Sequence, residues 1–93
     1  MNLWLRFAAV LINLGASQFD RGHYAEAERY DREGLAMYRA FYGPVHPETA
    51  YAMTMLARAL IFQEQFAEAT ELLRESLAVR ENVFGPDNPV VAS

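Results

Sequence analysis

Along most of this chain apolar residues recur at steps of three and four. From Tyr24 they fall at Ala27, Tyr30, Gly34, Leu35, Tyr38, Phe41 and Tyr42, and a later run repeats the rhythm through Phe66, Ala69, Leu72, Leu73, Leu77, Val83 and Phe84. That is the period of an α-helix, and it gathers the apolar side chains into one stripe per segment. The opening LWLRFAAVLINLG sets Trp4, Phe7 and Leu11 at helical spacing, so they are expected in the core. On the polar side of residues 24–42, Glu28 with Arg32 and Arg29 with Glu33 stand four apart, where opposite charges support a helix. Nothing alternates with period two over a useful length. The pattern predicts helices at 3–20, 24–42, 47–63 and 66–84, an all-α chain.

The breaks between these segments are written in a repeated punctuation. FYGPVHPETA and VFGPDNPVVA both carry Gly-Pro-x-x-Pro. Gly43 and Gly85 follow the long helices, where a positive φ is cheap only for glycine. Pro44 and Pro86 cannot continue a helix, whereas Pro47 and Pro89 suit a first helical position, whose N–H has no intrahelical partner. His46 and Asn88 take the N-cap slot, for which Asn is well suited and His poorly. Two shorter corners, Asp20-Arg21-Gly22-His23 and Phe62-Gln63-Glu64-Gln65, split each unit into two antiparallel helices.

The punctuation belongs to a longer self-similarity. At a spacing of 42 residues, with no gap, Leu14 falls on Leu56, Ala25-Glu26-Ala27 on Ala67-Glu68-Ala69, Arg32-Glu33 on Arg74-Glu75, Leu35-Ala36 on Leu77-Ala78 and Gly43-Pro44 on Gly85-Pro86. One fixed period is the mark of a repeat architecture. The expected fold is an α-solenoid of antiparallel helix pairs in a single domain over 1–93. Repeat one runs from about 5 to 46 and repeat two from about 47 to 88, with the start of a third at 89–93.

Leu14-Gly15 followed by Gly22-x-Tyr24-x-Glu26-Ala27, and Leu56-Ala57 with Phe66-x-Glu68-Ala69, resemble the tetratricopeptide repeat. The 42-residue unit and its Gly-Pro-x-His-Pro corner look like the kinesin-light-chain variety of that family. Asp31 departs from the pattern, since its slot is usually apolar or aromatic and holds Leu73 in repeat two. Gly34 replaces a usual alanine and is expected to cost roughly 1 kcal/mol in mid-helix, leaving repeat one the looser half.

Composition narrows the function. The net charge is −4, with all eight basic residues arginine, which is unlike the clustered positive charge of a nucleic-acid binder. There is no cysteine, hence no disulfide framework and no thiolate zinc site. The apolar N-terminal stretch lacks a basic flank and is too short to span a bilayer, so a cytoplasmic chain with no membrane partner is expected. His23 and His46 lie in corners without metal-ligand spacing, and no serine sits in a nucleophile elbow. There is no Gly-rich phosphate loop. Neither enzyme activity nor a cofactor is expected.

What remains is binding. The resemblance implies a concave surface lined by the first helix of each pair, here Ala9, Ile12, Asn13 and Ala16, then Tyr51, Thr54, Met55 and Arg58. A protein or peptide is the implied partner, and a protein-interaction scaffold the implied function. The alternatives are a self-assembling module and a regulatory array cut from a larger protein. In the first of these, homo-oligomers form through uncapped repeat ends. Leu77 and Phe84 are the expected exposed surface at the C-terminal end.

Overall fold

The computed structural model describes residues 2–84. It contains four helices in chain order: α1 (Leu3–Asp20), α2 (Tyr24–Tyr42), α3 (Pro47–Ile61) and α4 (Phe66–Phe84). The second Gly-Pro-x-x-Pro corner and the expected start of a third repeat lie outside the described residues. Each helix packs mainly on its neighbours in sequence, α1 on α2, α2 on α3 and α3 on α4, with a narrower contact between α1 and α3. The molecule is a slab of 36 × 36 × 19 Å, so its short dimension is two helix diameters. This is the all-α solenoid the repeat predicts.

Both hairpin corners are the same Schellman motif. After α1, Gly22 N donates to Phe19 O at 2.9 Å and His23 N to Gln18 O at 2.8 Å. After α3, Glu64 N donates to Ile61 O at 2.9 Å and Gln65 N to Leu60 O at 2.9 Å. These are equivalent positions in the repeat, and they satisfy the last carbonyls of each first helix. The motif needs one residue at positive φ. Gly22 supplies it at 82° and Glu64, without the freedom of glycine, at 62°. The turn begins after Ile61, so α3 stops two residues before the expected boundary at 63.

The corner between the repeats works as its composition predicts, with one correction. Gly43 has φ 85° and ψ 175°, a conformation essentially reserved for glycine, and its N–H donates to Arg39 O. Pro47 opens α3. His46 is a working N-cap rather than a poor one: its Nδ1 accepts from Glu48 N at 3.1 Å. The ring is held for this task by stacking on Tyr42, centroids 3.7 Å apart and planes within 12°. Thr49 Oγ1 closes the corner by donating to Gly43 O at 3.0 Å.

The core runs between the layers through Ala8, Ile12, Leu35, Tyr38, Met53, Leu56, Leu60 and Leu72, with small residues where helices approach closely. Gly34 is one of these. A Cβ there would lie 2.6 Å from Ile12 Cδ1, so the residue expected to loosen repeat one is what lets α1 and α2 close on each other. Gly15 plays the matching part on α1, where a Cβ would lie 2.1 Å from Asp31 Oδ1.

Two surface expectations are also corrected. Arg29 pairs with Glu26 rather than Glu33, whereas Arg32 holds Glu28 as expected. Leu11 is buried, but Trp4 is 70% and Phe7 55% exposed. Periodicity identifies an apolar face but not the neighbour that covers it, and no described helix packs on that side of α1.

Candidate binding surfaces

The residues implied to line a groove fall into four pairs related by the repeat: Ala9 with Tyr51, Ile12 with Thr54, Asn13 with Met55, and Ala16 with Arg58. Each pair occupies equivalent positions on α1 and α3. The second pair does not line an open surface. Ile12 is only 3% exposed and belongs to the core against Gly34. Thr54 faces the second helix of its own repeat, where its hydroxyl donates to Ala50 O at 3.1 Å and lies 3.0 Å from Ser76 Oγ. Asn13 and Tyr51 are exposed, Ala9 and Ala16 half-buried, and Met55 half-buried against the core.

Arg58 is tied into its own repeat junction. Its guanidinium carbon lies 4.0 Å from the centroid of Phe19, a cation–π contact. Phe19, Tyr24 and Phe62 form an aromatic triangle with centroids 4.9 to 5.2 Å apart. Arg58 Nε is buried without a hydrogen-bond partner, and so is Asp31 Oδ1. Burial pushes the Asp31 carboxyl up to about 7, and the positive charge of Arg58 works against that rise. These two groups answer each other's charge across the junction between the first hairpin and the second.

The two second helices are joined by long side chains. Arg32 makes a two-pronged contact with Glu68, at 2.8 and 2.9 Å, and Arg39 reaches Glu75 at 3.0 Å. The Arg32 pairing holds the Glu68 carboxyl below the usual carboxylate range. Both pairs are close to half exposed, so each is worth well under about 1 kcal/mol.

Beside these polar ties the surface carries two apolar faces. On α1, Leu3, Trp4, Phe7, Val10 and Leu14 are exposed along one stripe. On α4, Leu77 is 47% exposed, with Leu73 and Val83 also open. The side chain of Phe84 lies outside the described residues. An apolar groove of about 340 Å³, lined by Trp4, Ala36, Met37, Ala40 and Phe41, sits where α1 begins beside the end of α2. Its counterpart in repeat two, about 440 Å³, is lined in part by Val45, Ala78, Val79 and Asn82. Recurrence at equivalent positions makes both grooves a product of the repeat geometry. The α1 stripe was missed in the sequence reading. A signal for it existed: Phe7 and Val10 align with Thr49 and Ala52 on α3, and a bulky residue aligned with a smaller one marks a different neighbour. Among the described residues no group of three or more His, Asp and Glu side chains could hold a metal ion. No described helix is long and apolar enough to cross a membrane.

Helix pairs at a 42-residue period, Schellman corners and small residues at the close approaches define a helical-repeat protein. The chain belongs to the tetratricopeptide repeat family, whose profile matches residues 6–82. It is similar to the clustered mitochondria protein homolog of Aedes aegypti, with 29% identity over 75 residues, 81% of this chain and 5% of that protein. The homolog of Aspergillus clavatus is 28% identical over 80% of this chain and 6% of its own length. That of Culex quinquefasciatus is 28% identical over 81% of this chain and 5% of its own length. The chain therefore spans about one twentieth of the length of these relatives. Repeats of this family generally mediate protein–protein interaction.

Proposed function

We propose that the chain is a non-enzymatic protein-interaction module whose α1–α3 face receives a peptide or partner domain. The observation that carries this reading is the equivalence of Ala9 with Tyr51 and of Asn13 with Met55 on two neighbouring first helices, with Asn13 and Tyr51 exposed. Stacked helix pairs curve, and a surface read out by the same positions of successive repeats suits an extended or helical segment. We assign the repeat to the kinesin-light-chain-like variety on its 42-residue register and Gly-Pro-x-His-Pro corner. We place its work in the cytoplasm and without nucleic acid, in keeping with its acidic charge.

Peptides selected from a displayed random library against the intact chain provide the test. Asn13→Ala and Tyr51→Ala are the informative substitutions because both side chains are exposed and neither supports the core. Arg58 is unsuitable, since changing it also removes the countercharge of Asp31. Selected peptides are expected to lose roughly tenfold in affinity for each variant, about 1.4 kcal/mol. Binding that ignores both substitutions rules out this face. Self-association is a second reading, favoured by the exposed stripe on α1.

A further inference from the structure

We infer that the chain docks on a second copy of itself head to tail, the outer face of α4 in one molecule covering the outer face of α1 in the next. This deepens the self-association reading and uses a surface other than the α1–α3 face. The template is already inside the molecule, where α2 packs on α3. The repeat register carries α2 onto α4 and α3 onto α1. On α3, which α2 covers, Thr49, Ala52 and Leu56 are buried, whereas their counterparts Phe7, Val10 and Leu14 on α1 are exposed. On α2, Leu35 is buried, whereas its counterpart Leu77 is open. Where Asp31 and Arg58 bring charge to the internal seam, the corresponding residues are Leu73 and Ala16, both apolar. Each unpartnered face is thus one half of a seam that the chain has already built once, and the halves are complementary to each other rather than to themselves.

The charges flanking the seam carry over only in part. Internally it is flanked by Arg32–Glu68 and Arg39–Glu75. Moved on by one chain, the first pair becomes Arg74 facing Glu26 of the next copy, an attraction kept. The second becomes Glu81 facing Glu33 of the next copy, an acid against an acid. Such a contact is heterologous and leaves one open face at each end, so assembly does not stop at a dimer.

Sedimentation velocity and light scattering on the intact chain test this. The mass is expected to rise with concentration without a plateau at two copies. Leu77→Glu, and separately Phe7→Glu with Val10→Glu, are each expected to give a monomer. A one-to-one mixture of the two variants is expected to give a dimer, because each keeps one intact face. Glu81→Arg is expected to tighten association roughly fivefold by replacing a repulsion with an ion pair. All these side chains are exposed, and circular dichroism at low concentration establishes that each variant is folded. A wild-type monomer at several hundred micromolar overturns the inference. So does a Leu77→Glu chain that still dimerises, a variant mixture that stays monomeric, or a Glu81→Arg chain that associates no more tightly. Loss of peptide binding in the α1–α3 variants has no bearing on these outcomes, so the two readings fail separately.

Discussion

Gly22 and Glu64 stand at the same place in the two hairpins and close their first helices with the same pair of hydrogen bonds. Further along the second helix of each hairpin, the comparison sharpens at Asp31 and Leu73, which are also equivalent. Asp31 is 2% exposed, and Leu73 is open. The hydrophilic residue is buried and the apolar one is not, because α3 covers α2 while no described helix covers α4 in the same way. Place in the stack, rather than side-chain character, decides burial here. A buried acid in the first hairpin is tolerated because Gly15 leaves it room and Arg58 reaches it from the second hairpin.

The largest way to break this comparison is through pH. With a folded carboxyl near 7 against an ordinary value of 3.8, Asp31 stays protonated in the folded chain after it ionises in the unfolded one. The folded state then binds more protons at this group, so the contribution of Asp31 to stability is greatest below about pH 4 and falls as pH rises to about 7. The slope within the window is at most about 1.4 kcal/mol per pH unit, on the order of 4 kcal/mol across it. Urea midpoints measured from pH 4 to 8 are expected to show this decline, and Asp31→Asn to flatten it. A wild-type profile as flat as that of Asp31→Asn contradicts the assignment.

Next in size is the close approach at Gly34, whose equivalent is Ser76. Gly34→Val drives a side chain into Ile12 and is expected to cost about 2–3 kcal/mol. Ser76→Ala, which loses a hydroxyl bonded to Ala50 O at 3.1 Å, is expected to cost about 1 kcal/mol. Chemical denaturation of both variants measures the difference, and equal losses would remove the distinction between the hairpins. The smallest effect is expected at the corner itself. Glu64→Gly relieves a left-handed side-chain conformation and is expected to raise stability by about 1 kcal/mol, visible as a higher melting temperature.

Much of this architecture was legible in the residues. Gly43, Pro44 and Pro47 mark one helix end and one helix start, and the spacing of 42 assigns the second hairpin once the first is known. Legibility ended where a side chain has more than one neighbour to choose from. Arg29 has acids three residues before it and four after it, and only the rotamer selects Glu26. Gly34 reads as a weak helix position because propensity is local, whereas its value is the space it leaves for Ile12. His46 reads as a poor cap until Tyr42 is seen holding its ring. At the candidate surface, the resemblance named Asn13 and Tyr51, which are exposed, together with Ile12 and Thr54, and it could not say that the last two turn toward the second helix of their own hairpins.

The layered arrangement also has a mechanical consequence. The first hairpin meets the second through α2 and part of α1 against α3, and the ion pairs Arg32–Glu68 and Arg39–Glu75 span the outer side of that junction. A pull along the stacking direction therefore loads this junction in series with the hairpins, whose own corners are closed by short local hydrogen bonds. One buried core runs through that junction, so the setting of one hairpin on the other, which decides how a repeat array curves, is fixed by packing at this seam.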